Sequence, residues 1–288
     1  MAFNFQGIVF MNLPTKEITI DSIRGFMADE ATKRINFASS HANALKKAEQ
    51  GEGGKITLPF SDTIQPIIEN KLGSDKRLFP SQYGGIWRGI HTEEEYAEFE
   101  GFKNKYRDIV FLRDNIDLSI SLSMNYEGDD RTEIGELEYQ AKFCSNEDAE
   151  DELIEKCKEW IQELPYYKHA DHICAMPNSN PKEESLPKRI VNYLVDFNFT
   201  DISEKVFWRS KSRKVKEAEN IEEKLEILEE SNLIISEDLE IKGKTIVLFD
   251  DLYMSGLSMQ YVAMKLKEAG ANRVFGLSIV KSRSNTAR

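Results

Sequence analysis

Residues Lys244–Ser258 read KTIVLFDDLYMSGLS, and the predicted fold is organised around them. Four apolar residues, Ile246–Phe249, precede two adjacent carboxylates, Asp250 and Asp251. A continuous apolar run that ends at polar residues predicts a strand buried on both faces of a parallel sheet. The serine and glycine residues that follow lead into an amphipathic segment, Met259–Ala269, which predicts a helix. The stretch therefore predicts a strand, an acidic pair, a loop and a helix in that order.

This order of elements also predicts a binding site. The first turn of a helix offers unpaired backbone N–H groups and a favourable dipole, so the loop that leads into it suits an anion. The acidic pair beside it suits a diol or a hydrated metal ion. A second strand followed by a loop is predicted at Ala170–Met176 and residues 177–181. Because ligands bind at the carboxyl ends of parallel strands, we expect the loops at 177–181 and 252–258 to face one crevice.

The amino-acid composition restricts which classes of protein this chain can belong to. A length of 288 residues allows two domains, and 40% hydrophobic with 31% charged residues is typical of a globular chain. The net charge of −12 argues against a broad nucleic-acid footprint, so direct nucleic-acid binding is not expected. The sequence shows neither a membrane-spanning run nor a signal peptide. Three scattered cysteines predict reduced thiols and a cytoplasmic protein: Cys144, Cys157 and Cys174.

The rest of the chain divides into two regions. From about residue 168, strands alternate with helices and predict a parallel sheet, whereas residues 1–135 predict a mixed α+β region without a chemical motif. The elements predicted before the parallel sheet are strands within 3–20, a helix over 21–48, a loop over 80–89 with Tyr83 and Trp87 as aromatic anchors, a helix from Thr92 to Tyr106, a half-exposed antiparallel strand over 116–124, a strand over 134–143 and a helix over 146–164.

Residues 246–258, IVLFDDLYMSGLS, resemble the phosphoribosyl-pyrophosphate binding motif of the type I phosphoribosyltransferases, and the downstream KLKEAGANRVFGLSIVKSRS resembles their ComF-like branch. The resemblance covers residues 135–282. It implies an α/β fold in which residues 136–288 form a Rossmann-like, parallel-sheet phosphoribosyltransferase domain. Residues 1–135 would then be an unrecognised α+β region that serves as a hood or binds the acceptor.

The resemblance also implies roles for individual residues. Asp250 and Asp251 match the pair that contacts the ribose hydroxyls. The residues that match the 5′-phosphate loop are Met254, Ser255, Gly256, Leu257 and Ser258. Asn178 and Ser179 fall where the family binds pyrophosphate, with a plain turn as an equal alternative. The residues that fall at the family's mobile basic loop, with a solvated surface loop as the alternative, are Arg209, Lys211, Arg213 and Lys214.

Two departures from the family pattern bear on activity. Met254 stands where the family usually has threonine, and the four-cysteine zinc knuckle of many ComF-like proteins is absent from the sequence. The resemblance implies a Mg²⁺-dependent phosphoribosyltransferase, a glycosyltransferase of nucleotide metabolism, with no metal site built from protein ligands alone. The alternative is a non-catalytic sensor of phosphoribosyl pyrophosphate or nucleotides, in competence or in a multi-gene bacterial system. Assembly into a homo-oligomer is left open.

Overall fold

The computed structural model of the protein describes residues 10, 13–178, 184–194, 199–210 and 215–283. The helices are α1 Ile20–Ala28, α2 Ile64–Leu72, α3 Glu93–Lys105, α4 Glu133–Phe143, α5 Glu147–Glu163, α6 Leu186–Leu194, α7 Ile221–Glu230 and α8 Leu257–Glu268. The strands are β1 Arg34–Asn36, β2 Leu45–Lys47, β3 Gly54–Leu58, β4 Phe79–Pro80, β5 Ile86–Ile90, β6 Val110–Leu112, β7 Leu118–Met124, β8 Tyr126–Glu127, β9 Asp130–Arg131, β10 His172–Ala175, β11 Thr200–Asp201, β12 Val206–Trp208, β13 Leu233–Ile235, β14 Thr245–Tyr253 and β15 Arg273–Lys281.

A seven-stranded sheet in the order β1-β6-β7-β15-β14-β10-β11 organises the fold. The five strands from β7 to β11 pair in parallel, while β1 and β6 add antiparallel at one edge. Helices α4 and α6 pack against one face of this sheet, and α8 packs against the other. The protein is therefore a mixed α/β protein with a large, mostly parallel sheet, as the sequence predicts.

Strand β14 lies between β15 and β10 and is buried on both faces. Ile246 and Leu248 face the core that includes α8, while Val247 and Phe249 face the core that includes α4 and α6. This arrangement explains the uninterrupted apolar run, because neither face of the strand meets water. The buried parallel strand predicted from this run is confirmed.

The order of the parallel strands places a topological switch point beside β14. The chain forms β10, moves outward to β11, and then returns to the other side of β10 to form β14 and β15. The connection that follows β10 therefore runs toward β11 at one edge, whereas the connection that follows β14 runs in the opposite direction, toward β15. In open α/β sheets such a point leaves a crevice at the carboxyl ends of the two strands, and ligands bind there.

The strand predicted over 116–124 is confirmed as β7, which pairs antiparallel with β6 on one side, but its predicted half-exposed character is wrong. All seven residues of β7 are buried, and the strand pairs in parallel with β15. The alternating serines can be buried because their side chains are small and can form hydrogen bonds within the core. The Oγ atoms of Ser121 and Ser278, for example, lie 2.5 Å apart. Ser119 pairs with Gly276, where an added Cβ would meet the Sδ atom of Met259 at 3.0 Å. Small residues on this face thus allow α8 to pack closely.

Two further secondary-structure predictions are wrong. The strand predicted over 134–143 is helix α4, because the side chain of Thr132 caps it by accepting from the Gly135 N–H at 2.9 Å. The helix predicted over 21–48 ends at Ala28, and the chain then forms β1 at the sheet edge and β2 in a smaller sheet. Pairing of β1 with β6 stabilises the strand through contacts between residues distant in sequence, and the local helical spacing of apolar residues does not predict such contacts.

The smaller sheet is antiparallel, with the order β2-β3-β5-β4. Its inner face buries Ile56, Leu58 and Ile86 in the main core. The loop predicted over 80–89 is wrong from residue 86, because Ile86–Ile90 form β5 and pair with β3. Its predicted aromatic anchors are wrong as well, since Tyr83 is 89% exposed and Trp87 is 46% exposed. The helix from Thr92 is confirmed, with Thr92 accepting from the Glu95 N–H at 3.1 Å.

The structure also bears on the predictions for residues 146–164, residues 3–20 and the domain boundary. Helix α5 confirms the helix predicted over 146–164. The sequence predicts strands within residues 3–20. Residues 3–9, 11 and 12 lie outside the described residues, and residues 13–19 form no strand. The main sheet includes strands β1, β6 and β7 from the region before residue 135, so it crosses the predicted domain boundary; the division at 135 itself stays a prediction. No helix among the described residues has both the length and the apolar content to cross a membrane.

Candidate functional site

The acidic pair lies at the switch point of the main sheet. Asp250 and Asp251 belong to β14 itself, which continues to Tyr253, and both are partly exposed after four fully buried residues. They line a cleft of about 480 Å³ together with Pro177 and Asn178, which follow β10. The structure therefore brings together the acidic pair and the beginning of the second predicted loop.

A lysine from helix α4 faces the acidic pair. The Nζ atom of Lys142 lies 2.7 Å from the Oδ2 atom of Asp251 and 3.5 Å from the Oε1 atom of Glu138. Burial favours the neutral amine, but the carboxylates of Asp251 and Glu138 outweigh it, and the pKa of Lys142 is raised. Burial raises the pKa of Glu138, although Lys142 opposes this. The cleft thus holds the carboxylates of Asp250, Asp251 and Glu184, with the paired ammonium of Lys142 beside them.

Lys142 was missed by the sequence analysis because its segment was predicted to be a strand. A helix places residues four apart on one face, so Glu138 and Lys142 meet there. The signal was present in the apolar spacing of Ile134 and Ala141, both buried, and in the threonine that precedes the helix.

Arg189 of α6 is a second cation that lines the cleft, and it too was missed. Its guanidinium binds the carboxylate of Glu150 at 2.7 and 2.9 Å and donates to the carbonyl of Ala141 at 3.3 Å. The hydrogen bond to Glu150 raises the pKa of Arg189. Because these contacts join α4, α5 and α6, Arg189 holds one wall of the cleft in place.

The loop after β14 turns sharply into α8. Gly256 is the residue before the helix and has a left-handed backbone with φ of 80°. Leu257 N–H reaches only the Oγ atom of Ser255, at 3.5 Å, and the first N–H groups of any helix lack an acceptor within it. The loop therefore retains the backbone donors that an anion needs. Residues 254–258 do not themselves line the 480 Å³ cleft.

Buried polar groups support this loop from beneath. The Tyr253 hydroxyl donates to the Oδ2 atom of Asp114 at 2.9 Å, and the Ile116 N–H donates to the Oδ1 atom of Asp114 at 2.9 Å. The ammonium of Lys281 donates to the carbonyl of Met254 at 2.9 Å. Burial raises the pKa of Asp114 and lowers that of Lys281 to about 7. The turn is thus held by side chains from three separate segments.

Tyr253→Phe is expected to destabilise the protein by about 1–3 kcal/mol. The substitution removes a hydroxyl whose partner is the buried carboxyl of Asp114, and that carboxyl loses a hydrogen-bond donor. Urea unfolding followed by circular dichroism measures the difference. Tyr126→Phe, on the partly exposed β8, is the control and should change stability little. Equal losses in the two variants would contradict a structural role for the Tyr253–Asp114 hydrogen bond.

Lys281 is expected to make stability depend on pH. Its pKa of about 7 in the folded state lies below the ordinary value of 10.5, so the unfolded chain binds more protons between these pH values. Its contribution to the free energy of unfolding therefore rises from about pH 7 to about pH 10, by at most about 1.4 kcal/mol per unit. Lys281→Met should flatten the pH profile measured by denaturant titration. The exposed control Lys242→Met should keep the wild-type slope, and an unchanged slope in Lys281→Met would contradict the assignment.

The other residues implied by the family resemblance lie elsewhere or are not described. Ser179, Lys211, Arg213 and Lys214 lie outside the described residues. Arg209 is exposed, and its N–H donates to the carbonyl of Asn232 at 3.1 Å. The preceding residue Trp208 donates from Nε1 to the carbonyl of Pro177 at 3.0 Å. Strand β12 therefore contacts the loop after β10 close to the start of the predicted basic loop.

The carboxylates of the cleft can be compared with the ligands that Mg²⁺ needs. Among the described residues, no group of three or more His, Cys, Asp or Glu side chains could hold a metal. Mg²⁺ is usually bound through one or two carboxylates, several waters and substrate phosphates, rather than in a cage of protein ligands. Asp250 and Asp251 fit that pattern, provided that a ligand supplies the phosphate oxygens.

No family model matches the chain, and no curated protein matches it. Among solved structures the chain is similar to a hypoxanthine phosphoribosyltransferase from Staphylococcus aureus, with 13% identity, 48% of this chain and 68% of that chain covered, and a TM-score of 0.30. A hypoxanthine phosphoribosyltransferase from Trypanosoma cruzi, in a ternary substrates complex, has 10% identity, coverage of 52% and 70%, and a TM-score of 0.30. An alanine mutant of an invariant aspartic acid in HPRTs has 12% identity, coverage of 46% and 70%, and a TM-score of 0.32.

Similarities at this level carry no argument about function. The α/β class rests on the sheet topology and the helices that cover it. The resemblance to the ComF-like branch stays a prediction.

Proposed function

We propose that the protein binds phosphoribosyl pyrophosphate or a nucleotide at the switch-point cleft, and that it transfers ribose 5-phosphate to an acceptor. One observation carries the proposal. Asp250 and Asp251 lie at the carboxyl end of β14, just before a tight turn into α8, and they share a cleft with Asn178 after β10. This combination of a carboxylate pair, a helix N-terminus and a switch point suits a phosphorylated sugar.

The cleft and the adjoining turn into α8 have separate proposed roles. The carboxylates of Asp250 and Asp251 accept hydrogen bonds from the ribose hydroxyls, and such bonds to a charged acceptor are strong. The unpaired N–H groups at the start of α8 and the hydroxyls of Ser255 and Ser258 hold the 5′-phosphate. Asn178 lies at the pyrophosphate end. Lys142 positions the carboxylate of Asp251 through its 2.7 Å contact.

The proposed reaction needs no nucleophilic side chain. The bond between the anomeric carbon and the pyrophosphate oxygen breaks, and its electron pair leaves with pyrophosphate. An electron pair of the acceptor then forms the new bond to that carbon. Mg²⁺ held by Asp250 and Asp251 would supply charge neutralisation for the departing pyrophosphate. The chain's own residues contribute by holding the sugar in place and by stabilising charge.

A second candidate function is a sensor that binds the same ligand without turnover. Two observations favour it. Met254 stands where the resembled family has threonine, and Asp251 already has Lys142 as a partner. A carboxylate engaged by a lysine can still accept hydrogen bonds from a diol, but it is a weaker ligand for a catalytic cation.

Ligand-induced thermal stabilisation combined with a pyrophosphate-release assay tests the proposal. Phosphoribosyl pyrophosphate with Mg²⁺ should raise Tm, since a ligand at 100 times its Kd stabilises the folded state by about 2.7 kcal/mol. Pyrophosphate release in the presence of any base from a panel of purines and pyrimidines would support the transferase. Stabilisation without release would support the sensor. An unchanged Tm at millimolar ligand would contradict both.

A further inference from the structure

The outer face of the small antiparallel sheet presents aromatic rings to solvent. Phe79 of β4 and Trp87 of β5 are direct cross-strand partners, and they are 55% and 46% exposed. Tyr83, in the turn that joins these strands, is 89% exposed. Three large aromatic residues in one hairpin, with their rings in water, are costly for a face that has no partner.

A flat, open strip lies beside these rings. Gly89 follows Trp87 on the same face, and a Cβ added to Gly89 would lie 3.6 Å from the ring of His91 and 3.9 Å from the ring of Trp87. The glycine therefore leaves a shallow gap between two rings. A glycine inside a strand often marks a place where a ligand approaches the backbone closely.

The same face carries positive charge. Gly89 pairs with Lys55 of β3, and Lys55 pairs with Lys46 of β2, so two exposed lysines continue the row. We call this surface, made of Lys46, Lys55, Phe79, Trp87 and His91, the aromatic–basic face.

We propose that the aromatic–basic face binds single-stranded nucleic acid. Every base has a flat ring that stacks on an aromatic side chain, and each phosphate attracts a lysine or arginine. Exposed rings on an antiparallel sheet, flanked by cations, supply both interactions, and single strands with splayed bases can lie on such a sheet. The cross-strand pair Phe79–Trp87 forms the stacking platform, while Lys46 and Lys55 lie where the backbone would pass.

The overall charge of −12 limits the length of nucleic acid that the protein can bind but is compatible with a short strand on this face. Acidic regions elsewhere repel nucleic acid, so a long duplex footprint remains disfavoured. A short strand needs only a local cluster of cations and rings. Contacts of Lys46 and Lys55 with two phosphates would give a slope of about −1.4 for the logarithm of the association constant against the logarithm of the salt concentration.

Fluorescence anisotropy with labelled single-stranded DNA and RNA of about 12 nucleotides tests the proposal. Wild-type protein should bind at low salt with the slope given above, and the DNA and RNA arms show which sugar is preferred. Trp87→Ala should weaken binding by about 5- to 150-fold, as expected for the loss of one stacked base. Lys55→Gln should weaken binding and make the salt slope shallower by about 0.7.

Matched controls separate this face from general effects. Tyr193→Ala removes an aromatic residue on α6 that is 55% exposed, against 46% for Trp87, and Lys242→Gln removes an exposed lysine elsewhere. Both should bind like the wild type, and so should Asp250→Asn/Asp251→Asn, whose cleft is separate. Absence of binding by wild-type protein, or equal losses in the controls, would overturn the proposal. Self-association that Trp87→Ala abolishes, without nucleic-acid binding, would identify the face as a protein interface and also overturn it.

Discussion

Asp250→Asn/Asp251→Asn is expected to weaken binding of phosphoribosyl pyrophosphate by about 100-fold or more. Hydrogen bonds to a charged acceptor contribute about 1.5–3 kcal/mol each, and the double substitution makes both acceptors neutral. It also removes the carboxylates that would hold Mg²⁺ against the ligand phosphates. Competition or direct titration at fixed Mg²⁺ measures the change in Kd.

The chain contains a matched control for this variant. Asp129 and Asp130 form a second pair of adjacent aspartates, both exposed, at the end of the turn after β8 and the start of β9. Asp129→Asn/Asp130→Asn changes the net charge by the same amount away from the cleft and should leave Kd unchanged. If both double variants lost affinity equally, the effect would come from overall charge, and the role assigned to Asp250 and Asp251 would be wrong.

Gly256→Ala is expected to cost about 3 kcal/mol or more of folding free energy. The left-handed backbone at Gly256, with φ of 80°, costs a residue with a side chain about 1–2 kcal/mol. In addition, the new Cβ would lie 2.0 Å from the hydroxyl oxygen of Tyr253, which its hydrogen bond to Asp114 holds in place. Relief of this clash requires movement of the turn itself, so ligand affinity should fall as well.

Gly243→Ala is the control that separates strain from the clash. Gly243 has a similar φ of 76°, but no atom lies within 4 Å of the position of an added Cβ. The free energy of unfolding of Gly243→Ala should therefore fall only by the cost of backbone strain, about 1–2 kcal/mol. Urea unfolding curves of the two variants give the comparison directly. Similar losses at both positions would show that Tyr253 can yield, and would contradict the tight packing described beneath the loop.

Local patterns in the sequence were enough to predict the central unit of the fold. Strand β14, the turn at Gly256 and helix α8 are contiguous, and each has its own signal: an apolar run, a glycine and a helical period. The pairing of this unit with the end of β10 also follows from the sequence, because parallel strands expose their carboxyl ends on one side.

The parts that could not be predicted depend on long-range contacts. Ser121 looks like a solvent-facing strand residue until Ser278, distant in sequence, packs opposite it. Lys142 enters the cleft only because residues 133–143 are a helix that lies on the sheet. Trp87 looks like a core residue by type, yet its side chain is 46% exposed on the outer face of the small sheet. Propensity and periodicity do not encode which face a neighbour will cover.

Isothermal titration calorimetry shows directly whether the switch-point cleft binds phosphoribosyl pyrophosphate. Wild-type protein titrated with phosphoribosyl pyrophosphate in the presence of Mg²⁺ should give a saturable, one-site isotherm. The same titration of Asp250→Asn/Asp251→Asn should give little heat, whereas Asp129→Asn/Asp130→Asn should match the wild type. Absence of saturable heat from folded wild-type protein, at ligand concentrations up to the millimolar range, would contradict the account.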